Sequence, residues 1–485
     1  MNERWGGISE RQIFWGIMAL AAILRAVAAV PFMIGWYDEI WQYLEPAWSL
    51  VEGPWIQTWD FRDGIRSWLL PQFLSLPMAL GWWLAPDSAL NLFLPRLLMA
   101  ALSLTVVGCA TQLGLRLSRL HGLMAGVVAA VWFELIYFAP RTLSEPLGFS
   151  LFMGAVWLLI ARRYTPNFRA YQVAGFLLGL CFAVRIQYAP MILILTIWAA
   201  RTEWRALWTP MVLGGLAALG VDAAVNLAMG NMPFRWMVEA VRVNVIEGRA
   251  DSYGVSPVTE YLGMMGLHWF LLFPAILILA RKGARHYPIL FWIAVVHILC
   301  HSLIGHKEFR FIMAGAGLLV VLAGLGSADM LRQVPRQRLA LTTVTMLFLW
   351  MGGSAALANA FFQHNWSRGA ALAEIYDEIR SDLKSCGIAF HTPEGSVNGS
   401  YALLRRSIPM YSIDEPAELA RYASSYNHIL TYQDRLADLP SGFGQVQCGD
   451  AKDMDAAVCH ARRAGGCSGD PVQHHYNAWL ERRDN

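Results

Sequence analysis

The chain has 485 residues, 56% of them hydrophobic and 15% charged, with a mean hydropathy of +0.39 and a formal net charge of +3. Soluble domains ordinarily carry about 25% charged residues, so charge is kept out of much of this chain. The small net charge, with no basic arm or tail, argues against a nucleic-acid partner.

Apolar runs of roughly 18–25 residues recur, the length that crosses a bilayer's hydrocarbon core. The first runs from about Ile13 to Met33. Arg4 and Arg11 precede it, Arg25 interrupts it, and no clean small-x-small cleavage site follows. It therefore reads as a first transmembrane helix and not as a removed signal. Further runs lie at about 69–85, 92–115, 121–139, 144–161, 170–184, 187–200, 207–229, 261–280, 287–304, 310–327 and 338–361. Tryptophan is abundant, 21 in all, as interface anchoring would require.

Basic residues sort the connections between these runs. Arg116 and Arg119 share one, Arg162, Arg163 and Arg169 another, and Arg201 and Arg205 a third. Arg281, Lys282 and Arg285, then Arg332, Arg336 and Arg338, complete the set. Short basic loops belong on the cytoplasmic side. All five join the basic N-terminus there only if 69–85 dips into the outer interface without spanning, and Pro71 and Pro77 make it a poor straight helix. About eleven spans are expected. The loops at 35–68, 140–145, 185–189, 230–260 and 305–309 and the tail from about 362 then lie outside.

The tail is much more polar. Its short apolar runs Gly387–Phe390, Ile408–Tyr411 and His428–Thr431 alternate with helix-like stretches at 367–384 and 415–424, a weak α/β pattern. Cys109, Cys181 and Cys300 fall in spans as buried packers. Cys386, Cys448, Cys459 and Cys467 fall in the tail and read as disulfides, with free thiols or a metal site the alternative. Asn365-Trp-Ser and Asn398-Gly-Ser have the form of glycosylation sequons, a triplet common by chance.

Three outer segments concentrate unusual chemistry. The first loop reads Gly35-Trp-Tyr-Asp-Glu-Ile-Trp-Gln-Tyr-Leu-Glu45, then Gln57-Thr-Trp-Asp60 and Ile65-Arg-Ser-Trp68. Such carboxylates can be merely solvated loop charges. However, helical spacing of Asp38, Glu39, Gln42 and Glu45 would place three acids and an amide on one face, ringed by aromatics, and that face needs a cation or a polar substrate beside a bilayer. The second segment is Gly305-His-Lys-Glu-Phe-Arg-Phe311 between two spans. Its clustered cations suit a phosphate, although interfacial snorkelling is the plainer reading. His297 and His301, upstream, are lesser candidates. The third is Pro140-Arg-Thr-Leu-Ser-Glu145, where Arg141 could join an anion site or pair with Glu145; Arg185 is similar. No Gly-rich phosphate loop, Ser-His-Asp order or HExxH zinc motif occurs.

Four segments together resemble the lipid-phosphate-sugar-dependent GT-C glycosyltransferases, specifically the ALG9/ALG12/GPI mannosyltransferase family (glycosyltransferase family 22). Tyr37-Asp-Glu-Ile-Trp-Gln-Tyr-Leu-Glu45 is similar to its acidic first-loop motif. Gln57-Thr-Trp-Asp60 with Ile65-Arg-Ser67 is similar to its T-W-E … R-S segment, with Asp60 in place of the usual Glu. Arg141-Thr-Leu-Ser144, after Pro140, resembles its T-R-T-L turn, and His306-Lys-Glu-Phe-Arg-Phe311 its H-K-E-x-R-F motif. The resemblance implies an all-α polytopic GT-C membrane domain over 1–361, with interfacial helices in a first outer loop at 35–91. A small C-terminal α/β soluble domain over 362–485 follows.

The implied activity is inverting transfer of a sugar, expected to be mannose, from a polyprenyl- or dolichyl-phosphate donor. The acceptor is a hydroxyl of a lipid-linked glycan or glycolipid at the outer or lumenal face. Asp38 is then the general base, supported by Glu39. His306, Lys307 and Arg310, with Arg66 and Arg141, hold the donor phosphate, and Gln42, Glu45, Trp59, Asp60 and Glu308 line the substrate. No cofactor or metal is expected, since the lipid-phosphate sugar is itself a substrate. The short arginine-rich loops suggest a bacterial inner membrane with a periplasmic site, the endoplasmic reticulum being the alternative. Other GT-C branches (a protein O-mannosyltransferase or a lipid A aminoarabinose transferase) and a lipid or solute transporter remain the competing readings. Against a transporter, the charges cluster in outer loops and no inverted repeat is visible.

Overall fold

The structure, a computed structural model, describes residues 9–31, 36–86, 88–161, 167–201, 203–392, 399–449 and 457–484. Arg4, Met33, Gly35, Arg162, Arg163 and Asn398 lie outside the described residues. The chain divides into two compact units. One comprises Met1–Val30, Ser67–Leu70 and Arg96–Phe362; the other comprises Pro31–Arg66, Pro71–Pro95 and Gln363–Asn485. Most of the first loop therefore belongs to the same unit as the tail.

Apolar helices make up most of the first unit, and the one over Leu69–Leu84 lies mostly in the second. In chain order the apolar helices are α1 (Glu10–Ala29), α2 (Leu69–Leu84), α3 (Leu90–Leu115), α4 (Arg119–Val131) and α5 (Ser144–Ala161). They continue with α6 (Phe168–Val184), α7 (Ala189–Ala200), α8 (Trp204–Ala228), α9 (Glu260–Trp269) and α10 (Phe273–Gly283). The last three are α11 (Pro288–Ser302), α12 (Phe309–Leu331) and α13 (Arg336–Ala360). Each apolar run expected to span coincides with one or two of these helices. Seven helical stretches among the described residues are long and apolar enough to cross a membrane, α9 and α10 counting as one. α2, with 16 residues and Pro77 inside, is not among them.

Two helices break, the first of them where other elements supply partners. After α4 the backbone turns extended at Trp132 before a short helix, Phe133–Phe138. The freed groups are taken up by side chains, as a low-dielectric interior demands. Phe133 N donates to Ser354 Oγ (2.8 Å), which donates to Val131 O (2.7 Å). Arg25, the charge that interrupts α1, donates to Ala129 O and Ala130 O (3.2 Å each) and to Ser103 Oγ (3.0 Å). The second break falls between α9 and α10, at Phe270, whose φ is +43°.

The tail folds as the expected α/β unit. Strands β1 (Ile388–His391), β2 (Met410–Ser412) and β3 (His428–Tyr432) come from the three short apolar runs, and β4 (Gln445–Cys448) and β5 (Val458–Arg462) extend them. The sheet order is β2-β1-β3-β5-β4, parallel over its first three strands and antiparallel beyond. All four tail cysteines pair, Cys386 with Cys467 and Cys448 with Cys459.

Candidate active site

The first loop, in the unit that includes the tail, starts as a π-helix over Glu39–Leu44 and continues directly as Glu45–Ser49. A π-helix closes i→i+5 bonds, so the regular α spacing behind the expected acidic face is not kept. The acids divide accordingly. Asp38 and Gln42 are half-buried, whereas Glu39 and Glu45 are buried. Glu45 is engaged by its own chain, with Oε1 accepting from Ser400 Oγ and Ala402 N and Oε2 from Ile56 N (2.8 Å). Burial outweighs these bonds and pushes its carboxyl up to about 7.

The Thr-Trp-Asp and Arg-Ser pieces meet. Arg66 Nε contacts Asp60 Oδ2 at 3.1 Å, while Thr58 Oγ and Phe61 N donate to Asp60 Oδ1. Burial pushes the Asp60 carboxyl up against the pull of Arg66, and the negative charge of Asp38 adds to the rise. Arg66 in turn senses Asp60, Tyr43 and Asp38, which hold its pKa up in spite of burial. Two motifs about twenty residues apart in sequence thus form one electrostatic group of Asp38, Asp60 and Arg66. Trp59 is half-buried in the same segment.

The His306–Phe311 turn, in the helical unit, lies between α11 and α12. Arg310 is buried and forks onto Glu308 (Nε to Oε2 2.9 Å, Nη2 to Oε1 2.8 Å), while Nη1 reaches Glu145 Oε1 at 3.4 Å. Arg185 meets the same Glu145 oxygen at 3.2 Å. Both guanidiniums lie over the Phe311 ring, at 5.0 and 4.9 Å. His306 Nε2 is 3.1 Å from Glu308 Oε1, a bond that raises the imidazole pKa. Burial would raise Glu308, but Arg310 and His306 hold it down at about 2. Lys307 is used differently from the expectation. Its ammonium donates to Ser256 O (2.9 Å), Ile304 O (2.6 Å) and Gly305 O (3.3 Å), so one donor ties the turn to Ser256 and the other two close the turn on itself. Arg141 is buried with its guanidinium 4.2 Å from the Tyr137 ring centre.

The family model of the Alg9-like mannosyltransferases matches residues 15–391, which include all of these segments. The chain belongs to that family. It is a glycosyltransferase and a multi-pass membrane protein. Among relatives, GPI mannosyltransferase 3 of Yarrowia lipolytica is 24% identical over 430 residues, 84% of this chain and 79% of that one. A probable Dol-P-Man:Man(7)GlcNAc(2)-PP-Dol alpha-1,6-mannosyltransferase of Schizosaccharomyces pombe is 24% identical over 291 residues, 57% of this chain and 50% of the relative. In fold, the chain is similar to ArnT of Cupriavidus metallidurans, solved with undecaprenyl phosphate, at a TM-score of 0.63 and 13% identity over 94% of this chain and 99% of that one.

Within this family member the structure adds partners that the motifs alone did not reveal. Arg185 and Glu145 join Arg310 in one cluster; an ionisable residue at each span end was the available signal. Ser67 donates to Asp222 Oδ1 and accepts from Asn226 Nδ2 (3.1 Å), and Trp236 Nε1 donates to Asp222 Oδ2 (3.1 Å). Ser67 is thereby fastened to the end of α8, and α8 has no motif to announce it.

Proposed function

We propose that this enzyme transfers mannose from a polyprenyl- or dolichyl-phosphate donor to a hydroxyl of a lipid-linked glycan or glycolipid, at the outer or lumenal face. The observation that carries the reading is the convergence of Arg310 and Arg185 on Glu145 beside the His306–Glu308 pair. The buried Arg310 guanidinium and the partly buried Arg185 beside it suit a lipid phosphate, which takes the Arg310 fork in place of Glu308. Arg66 and Arg141 are further phosphate contacts in this proposal, and Lys307 holds the turn in shape. A sugar phosphodiester already has a stable leaving group, so the reaction needs a base and an anion cradle but no general acid.

Asp38 is the proposed base because it is the half-exposed acid of the pair, with buried Glu39 supporting the helix beneath it. It takes the proton of the acceptor hydroxyl as the oxygen attacks the anomeric carbon and the lipid phosphate leaves, in one inverting displacement. Gln42, Trp59 and Asp60 line the acceptor, and no metal enters the step. The relative whose name contains Dol-P-Man supports this donor class, as do the disulfides for an oxidising compartment.

Purified Asp38→Asn is expected to transfer labelled mannose from polyprenyl-phosphate mannose at least about a hundredfold more slowly, the size of a lost general base. Turnover near wild type would exclude Asp38. Arg310→Ala should weaken donor binding by roughly 10- to 100-fold, the worth of a charge-assisted hydrogen bond. Unchanged donor affinity in a binding assay would remove the phosphate role.

A further inference from the structure

α12 carries Arg310 in its first turn and Asp329 in its last, about 29 Å apart at 1.5 Å per residue. At the Asp329 end, three residues from different elements converge: His121 at the start of α4, His286 in the turn between α10 and α11, and Asp329 itself. His121 Nε2 is 3.1 Å from Asp329 Oδ1, and His286 Nε2 is 3.1 and 3.0 Å from Oδ1 and Oδ2. One ligand atom from each lies within 4.8 Å of the others. We infer that His121, His286 and Asp329 form a zinc site that staples α4, α12 and the α10–α11 turn, remote from the anion cluster.

The chemistry of the set fits that cation. Two imidazoles and a carboxylate are a common zinc ligand set, leaving a fourth position for water. Tetrahedral bonds of about 2.0–2.1 Å put ligand atoms about 3.3 Å apart, so the two histidine–carboxylate separations need to open by only a few tenths of an ångström. His121 is also oriented from behind, since its Nδ1 is 2.8 Å from Ser118 Oγ. A ring nitrogen fixed in this way is the usual support of a metal-bound histidine. When zinc takes the Nε2 lone pair, the imidazole proton moves to Nδ1 and is donated to Ser118 Oγ, so the ring stays neutral. His121 is fully buried, whereas the side chains of His286 and Asp329 are 26% and 23% exposed, which gives the ion a way in and its water a place.

The full-length protein, purified in detergent through a tag without histidine and stripped with a chelator, would be titrated with zinc chloride against a chromogenic chelator. About one tightly held equivalent is expected, with Ser118→Ala weakening it on the order of tenfold and Asp329→Asn abolishing it. His286→Ala, at a half-exposed turn, should also abolish it and decides the matter if Asp329→Asn does not fold. Zinc should raise the melting temperature of the wild type and of neither ligand variant. No zinc uptake by the wild type, or uptake unchanged in His286→Ala, would leave the three residues as a hydrogen-bonded clamp and overturn the inference.

Discussion

Glu45 shows how far a single residue can depart from what its motif suggests. Three acids and an amide at helical spacing read as one polar face, but the π-helical turn and the fold of the tail place Glu45 under Ser400 and Ala402. No property of residues 38–45 announces a partner more than 350 positions away. Asp38, Asp60 and Arg66 were legible because each is a charge in a short loop beside apolar spans, where a charge needs a reason. The buried Glu45 has a pH signature. Its folded pKa of about 7 lies above the unfolded value, so the stability associated with its protonated form is fully present below about pH 4.3 and is lost as pH rises through 7. The change is roughly 4 kcal/mol across that window, at 1.36 kcal/mol per pKa unit. Chemical denaturation of the detergent-solubilised protein should show a fall in stability between pH 5 and 8 (on the order of the same figure), and Glu45→Gln should flatten it. An equal slope in the variant would assign the pH dependence elsewhere.

At the scale of elements, the apolar runs were readable because about twenty apolar residues have one favourable environment, a helix in lipid. The breaks at Trp132 and Phe270 were not readable. The break at Trp132 depends on Ser354 and Arg25 arriving from other helices to take the freed backbone groups. Close helix contacts were equally hidden, because glycine is common in membrane helices whether or not it packs. In the α6–α8 pair, a Cβ on Gly175 would lie 2.0 Å from Met211 O, and one on Gly214 would lie 2.0 Å from Gln172 O. Neither neighbour is a side chain that could swing away, so the helices must separate to admit a larger residue. Gly214→Leu is expected to cost at least about 2 kcal/mol, as overpacking does, and to lower the melting temperature in detergent. Gly220→Ala on the same helix meets nothing within 4 Å and should be neutral or stabilising by up to about 1 kcal/mol through helix propensity. Equal behaviour of the two variants would contradict the packing argument.

For the whole molecule, the basic loops make a claim that the helices by themselves do not. Arg281, Lys282 and Arg285 fall on the side that the charge rule assigns to the cytoplasm. The tail begins beyond α13 and, by the same count of spans, is expected on the opposite side. Its two disulfides fit that assignment physically, since such bonds persist in oxidising compartments. The five-stranded sheet of the tail was legible only in part. Strands β1 to β3 are apolar and buried and stand out from polar surroundings, whereas β4 is exposed throughout and has no such contrast. The sidedness can be tested with a cysteine at Leu383, which is 90% exposed on the tail, and another at Arg285. The tail's own cysteines are all paired, and Cys109, Cys181 and Cys300 lie within apolar helices, so background labelling is small. In intact cells a membrane-impermeant maleimide should label Leu383→Cys, and Arg285→Cys only after permeabilisation. Labelling of both from the same side would mean an even number of crossings between them. That result would remove α11, the one short helix among the three between the two positions, from the spans.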